Sequence, residues 1–370
     1  ECCSDAYTYT YRSITINNNT TANYIDGNGN AGTISVNTLL ASNFSVQNEF
    51  TINAPAVIVI DNRIIEFGQN GKVIVKKGAK LILNKPNTLK SIGCPTVMWQ
   101  GIFVEGNTNA SQTAQNQGWL IILVGNTIMD AHVGARNFYS GFFTSDGGII
   151  QATKANFINN NVGVLLFPYR GYNYPNTATF FTNCLFETNA FLKDVALYGP
   201  TKSQDAFAVL FSVSYKPIPS QTRILFECNT FRNLTPANNF LSRGVGIKSI
   251  DAQYDVVKGT GSCKGGNLFY RLDAGIDHSR SLNSVALNDI NVLQNTFSDN
   301  SKGILFTGTG YGRALVEGNL FKQSVFVGPF QVPATYGIYG KGGGKVNIFS
   351  NTFEKHTVAC FIDNSGTGGL

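Results

Sequence analysis

Two carboxylates, an imidazole and a guanidinium crowd into one short stretch, Asp273-Ala274-Gly275-Ile276-Asp277-His278-Ser279-Arg280. Groups of these types can move a proton and hold an anion, which is what cleavage of an acidic glycan requires. Asp273, Asp277, His278 and Arg280 are therefore the catalytic candidates. Asp130-Ala131-His132 is a second, isolated Asp/His pair, and His356 completes the histidines. No two histidines share a metal-ligand spacing and no Cys-x-x-Cys occurs, so neither metal nor cofactor is expected. Serine nucleophile elbows, phosphate loops and EF-hand loops are also missing.

The run Phe167-Pro168-Tyr169-Arg170-Gly171-Tyr172-Asn173-Tyr174-Pro175 suits binding better than catalysis. It follows a short apolar segment and is rich in turn residues, which puts Tyr169, Arg170, Tyr172 and Tyr174 on a loop. Tyrosines beside an arginine can stack on sugar rings or pack against a protein. A loop folded over its own aromatics is the competing reading. Tyr198, Lys202, Tyr215 and Lys216 would extend the same surface. Among the seven cysteines, Cys184 and Cys228 are either a disulfide between neighbouring coils or buried thiols, and both readings stay open. Cys94 is a candidate partner for Cys2 or Cys3.

The elements that must carry these groups are announced by a repeat. Asn126-Thr127-Ile128, Asn229-Thr230-Phe231, Asn267-Leu268-Phe269, Asn295-Thr296-Phe297, Asn319-Leu320-Phe321 and Asn351-Thr352-Phe353 share one pattern. Cys184-Leu185-Phe186 and Ala155-Asn156-Phe157 are variants. The steps between the third positions are 29, 29, 45, 38, 28, 24 and 32 residues, a floor in the twenties with insertions, as in a solenoid. Several copies are followed by Gly and a small or β-branched residue, as at Gly163-Val164, Gly275-Ile276 and Gly303-Ile304. An inward Phe in every coil would stack at the strand spacing of about 4.8 Å. The Asn is expected at a turn, bonding the next Asn along and adopting the left-handed backbone, and the Gly at a second permissive corner. The expected fold is all-β, a single-stranded right-handed parallel β-helix with an N-terminal cap. Residues 1–55 are read as cap and opening strands, and 56–370 as the helix, with the coil at Leu370 followed by further chain or covered by a partner. Aligning coils by their aromatics sets Asp277 beside Leu305 and His278 beside Phe306. His278 then points into the core with a backbone partner, and Asp277 points out. Arg271 and Asp299 align as a surface ion pair.

Composition narrows the function. Charged residues make up 14% of the chain and the net charge is +6, spread without a basic block, so nucleic acid is not an expected partner. No apolar run is long enough to span a bilayer. No leader stands at Glu1, and the expectation is a mature form from which one has been removed.

The segments Lys77-Gly78-Ala79-Lys80-Leu81 and Met98-Trp99-Gln100-Gly101-Ile102, followed by the Asn-x-Phe coils, resemble a stretch common in large secreted β-helix proteins of Bacteroidota. The resemblance runs from about residue 56 onward. It implies export, often by type IX secretion, and a role in adhesion or surface assembly. Ile276-Asp277-His278 resembles an element of lyases that share the fold, but the Asn-Thr-Asp, Gly-His-Gly and Arg-Ile-Lys elements of polygalacturonase-like enzymes do not occur. The favoured function is thus a secreted, extracellular, cell-surface binding or structural protein without catalysis, bound to polysaccharide or another surface protein. The alternative is a lyase or hydrolase acting on acidic glycans.

Overall fold

The computed structural model describes residues 33–34, 38–40, 43–93, 96–138, 145–167, 178–189, 191–193, 205–211, 223–235, 243–259, 265–280, 289–308, 313–324, 334–342 and 345–363. Each coil lays one strand in each of three sheets. These hold 12, 11 and 11 strands among the described residues, and neighbours in a sheet are always three strands apart in sequence. In the first sheet Gly101–Val104 pairs in parallel with Val133–Arg136, which pairs with Val162–Leu166. Trp119–Ile122 belongs to the second sheet and Thr127–Met129 to the third. This is an all-β parallel β-helix. Thr33–Ile34 and Glu49–Ile52 are already members of the first sheet, so coils are in place ahead of Ala56. Of the expected cap and entry strands at 1–55, residues 1–32 lie outside the described residues, as do Cys2, Cys3 and Cys94.

The repeat reads out as two interior columns. Phe157, Phe186, Phe231, Phe269, Phe297, Phe321 and Phe353 stack face to face, with centroids 4.7–4.9 Å apart. Beside them runs an asparagine ladder. The backbone N–H of Asn267 donates to Asn295 Oδ1 at 2.9 Å, that of Asn295 to Asn319 Oδ1 at 2.9 Å, and that of Asn319 to Asn351 Oδ1 at 2.9 Å. The amides return the contact, for Asn295 Nδ2 donates to Val256 O and Leu293 O. Asn87 joins the ladder through Asn126 Oδ1, although Leu89 replaces its aromatic.

Two expectations need correction. The left-handed residue at this turn is not the Asn but the residue before it. Lys154, Asn183, Cys228, Gln294 and Ser350 all have φ between 51° and 58°. The Asn works through its side chain instead, satisfying turn carbonyls that the core would otherwise strand. Nor are the repeat glycines corners. Gly163, Gly246, Gly275 and Gly303 sit within strands of the first sheet. A Cβ on Gly275 would lie 2.5 Å from Phe297 Cδ1, and one on Gly163 3.0 Å from Phe186 Cδ1. Glycine is present because the next coil's phenyl ring occupies the space. Phe207 is an exception, a buried ring in the glycine column that tilts against Phe231 at 6.2 Å.

Long-range ties brace the coils. Lys193 follows a strand of the third sheet and reaches back across earlier coils. Its Nζ lies 3.3 Å from Asp130 Oδ2 and donates to Ser91 Oγ and Ile92 O. Burial raises the Asp130 carboxyl pKa, and the ammonium only partly offsets that. In the last described coil Phe349, Phe361 and Ile362 are 55%, 42% and 39% exposed.

Candidate functional site

The first sheet turns alternate residues outward, and its repeat glycines index them. In each strand the residue two after that position faces out. One parallel register carries Phe103, Arg136, Leu165, Val209, Lys248, Asp277, Leu305, Tyr339 and Phe361. All are partly or openly exposed. The inward neighbours Ile102, Ala135, Val164, Ala208, Ile247, Ile276 and Ile304 are fully buried.

The first half of this face is aromatic. The Arg136 guanidinium lies 4.1 Å over the Phe103 ring and 5.7 Å from that of Phe138. Phe138 meets Phe167 edge-on at 4.3 Å, and Phe167 meets Phe211 at 5.6 Å. Neighbouring coils thus place rings along the helix axis on the outside, where apolar residues need not be. Arg136 Nη2 donates to Gln100 O at 3.1 Å, while its Nε is buried without an acceptor. Among the described residues no carboxylate is within ion-pair reach, and burial pushes the guanidinium pKa down to about 10. Tyr169, Arg170, Tyr172 and Tyr174 lie outside the described residues.

The second half is charged and holds the catalytic candidates. Asp277 faces out, with its carboxyl pKa raised by burial and by Asp273 against the opposing pull of Lys248 and Lys302. Lys248 pairs instead with Asp205 at 3.7 Å, and Lys302 with Asp273 at 3.5 Å. His278 faces in and is 8% exposed. Its partner is a side chain, not the backbone that the sequence suggested. Nδ1 lies 2.8 Å from Ser249 Oγ, which is 2.9 Å from the Tyr254 hydroxyl. Burial pushes the imidazole pKa down to about 4, so it is neutral at pH 7. Arg280 sits at the same parity as His278, not that of Asp277. Alternation therefore separates the charged groups of this strand between its two faces.

The other candidates stand apart. Asp130 is tied to Lys193, as described. His356 is at a turn beyond the strand Thr352–Glu354, with both ring nitrogens buried without hydrogen-bond partners and a pKa near 4 through burial. Arg271 and Asp299 occupy matching left-handed turn positions but do not pair. Asp299 Oδ1 accepts from Ser324 N and Oγ, and Arg271 Nη2 donates to Thr235 O. Cys184 is free and buried, its thiol pKa pushed up to about 12 by burial, whereas Cys228 is in a disulfide. The two are not joined to each other. Cys184 takes the ladder slot opposite Asn229, so Cys228 is one residue out of step and faces the other way. Among the described residues no cluster of three His, Cys, Asp or Glu could hold a metal ion, and no helix is long and apolar enough to cross a membrane.

The sequence reading missed Phe103, Arg136, Phe138 and Phe211. The signal was present in the glycine index, but coils were aligned on the inward aromatic, which hides the outward column. What the fold and this face define is a parallel β-helix with an aromatic outer surface. No family model and no curated protein sequence matches the chain. Among solved structures it matches the surface protein and adhesin PfbA of Streptococcus pneumoniae, at 11% identity over 86% of this chain and 77% of that one, with a TM-score of 0.20. At that score the likeness carries no argument about this chain.

Proposed function

We propose that this protein is a secreted, cell-surface binding protein of the adhesin kind, whose ligand lies along the outer face of the first sheet. The observation that carries the reading is the outward aromatic row of Phe103, Phe138, Phe167 and Phe211 with Arg136 among them. A rigid solenoid offers such a row as a long platform. The loop bearing Tyr169, Arg170, Tyr172 and Tyr174 would add to it, with polysaccharide or another surface protein as partner. The disulfide at Cys228 supports an oxidising, extracellular setting. Export by a type IX route in a Bacteroidota host is part of the proposal and rests on the sequence resemblance. Catalysis is not part of it, because Asp277 and His278 leave their strand on opposite faces.

Size-exclusion chromatography of acidic and neutral polysaccharides incubated with the protein tests this. Co-elution of full-length sugar with protein, lost in Phe138→Ala or Phe211→Ala, is expected. Shortened sugar would overturn the reading in favour of a lyase or hydrolase and direct attention to Asp277.

A further inference from the structure

We propose that Arg136, seated between Phe103 and Phe138 on the outer face, is the subsite for the carboxylate of an acidic sugar in a bound glycan. This deepens the binding reading above and rests on it. The argument begins with charge. A cation withdrawn from water is ordinarily matched by an anion or by a full set of acceptors. Among the described residues Arg136 has neither: its hydrogen bond is to Gln100 O, its Nε lacks an acceptor, and no carboxylate pairs with it. Its other neighbours are ring faces, which attract the cation but do not neutralise it. The residue is nevertheless not sealed, being of intermediate exposure.

The surroundings specify more than an anion. Leu165 and Val209 continue the apolar outer column on the next coils, and Phe167 and Phe211 stand alongside. A linear polymer lying along the axis would meet apolar or aromatic side chains on the coils from Phe103 to Val209, with the Arg136 cation among them. Sugar rings present apolar faces for such contacts, and an acidic sugar supplies the charge. A charge-assisted bond formed in this low-dielectric pocket discriminates strongly for the anion.

The test uses the full chain and two polymers of the same backbone, anionic polygalacturonate and its neutral, fully methyl-esterified form. Affinities are read by titration calorimetry at two salt concentrations. The wild type is expected to bind the acid about tenfold or more tighter than the ester. The preference should shrink with salt. Arg136→Gln should abolish it, and Arg136→Lys should keep part of it. Retained preference in Arg136→Gln overturns this inference and leaves the binding reading standing. Equal wild-type affinity for both polymers overturns it without any variant, which covers the case that Arg136→Gln does not fold. No binding of either polymer overturns this inference and leaves the binding reading to a surface-protein partner. Polyglutamate bound as tightly as polygalacturonate would overturn the sugar assignment in favour of an acidic peptide.

Discussion

His278 shows how a residue that looks chemical becomes structural. It is enclosed by Ser249, Tyr254 and Phe306, attracted by Asp251 and repelled by Arg280. Its pKa is lowered from 6.5 in the unfolded chain to about 4 in the folded one, first through burial. Between those values the unfolded chain binds the extra proton, so stability rises with pH across that window. The contribution is complete above pH 6.5 and is lost as the pH falls towards 4, amounting at most to roughly 3 kcal/mol. The denaturant midpoint should therefore drop between pH 7 and 4.5, and drop less in His278→Phe, which repeats the aligned Phe306. His356 is shifted in the same direction and should retain part of the slope. An identical slope in wild type and variant would place the pH dependence elsewhere.

At the scale of the element, the ladder turn is the unit that repeats. Each inner Asn serves two coils, accepting from the Asn before it and donating to carbonyls of its own coil and the previous one. Asn295→Leu would strand the N–H of Asn267 and take a donor from Val256 O and Leu293 O, of which Leu293 O still accepts from Lys258 N. Unmet buried groups cost about 1–3 kcal/mol each before relaxation, so a loss of about 3 kcal/mol in urea unfolding is expected. Asn351 accepts from Asn319 and donates to Val316 O, but it is only half-buried, so Asn351→Leu should cost less. Equal losses would mean that depth within the stack does not set the ladder's strength. The phenyl stack and the glycine column form a similar unit, since each Gly is required by the ring of the following coil.

For the whole molecule, a solenoid is held by contacts between neighbouring coils, and local stability follows from how well each coil is covered. Among the described residues the strand Ala274–Arg280 has a coil on either side, while Val358–Asp363 has one and shows apolar side chains to solvent. In this 370-residue chain, native-state hydrogen exchange should be fastest in the last strand and slowest in the middle of the first sheet. Uniform protection would show instead that all coils open together.

The sequence by itself determined the architecture, the inward column and the orientation of His278 and Asp277. All three follow from local spacing: a motif recurring at coil length marks equivalent positions, and strand alternation assigns the faces on either side. Insertions of uneven length then obscured everything that depends on neighbours in the next coil. Whether Cys184 meets Cys228 turns on a single residue of register, and the glycines make sense only beside the rings that stack above them. The outer face was decided by tertiary structure alone. Phe103, Arg136, Phe138, Phe167 and Phe211 come from four coils and share no motif. They meet because parallel pairing stacks equivalent positions one strand spacing apart, a proximity that chain distance does not disclose.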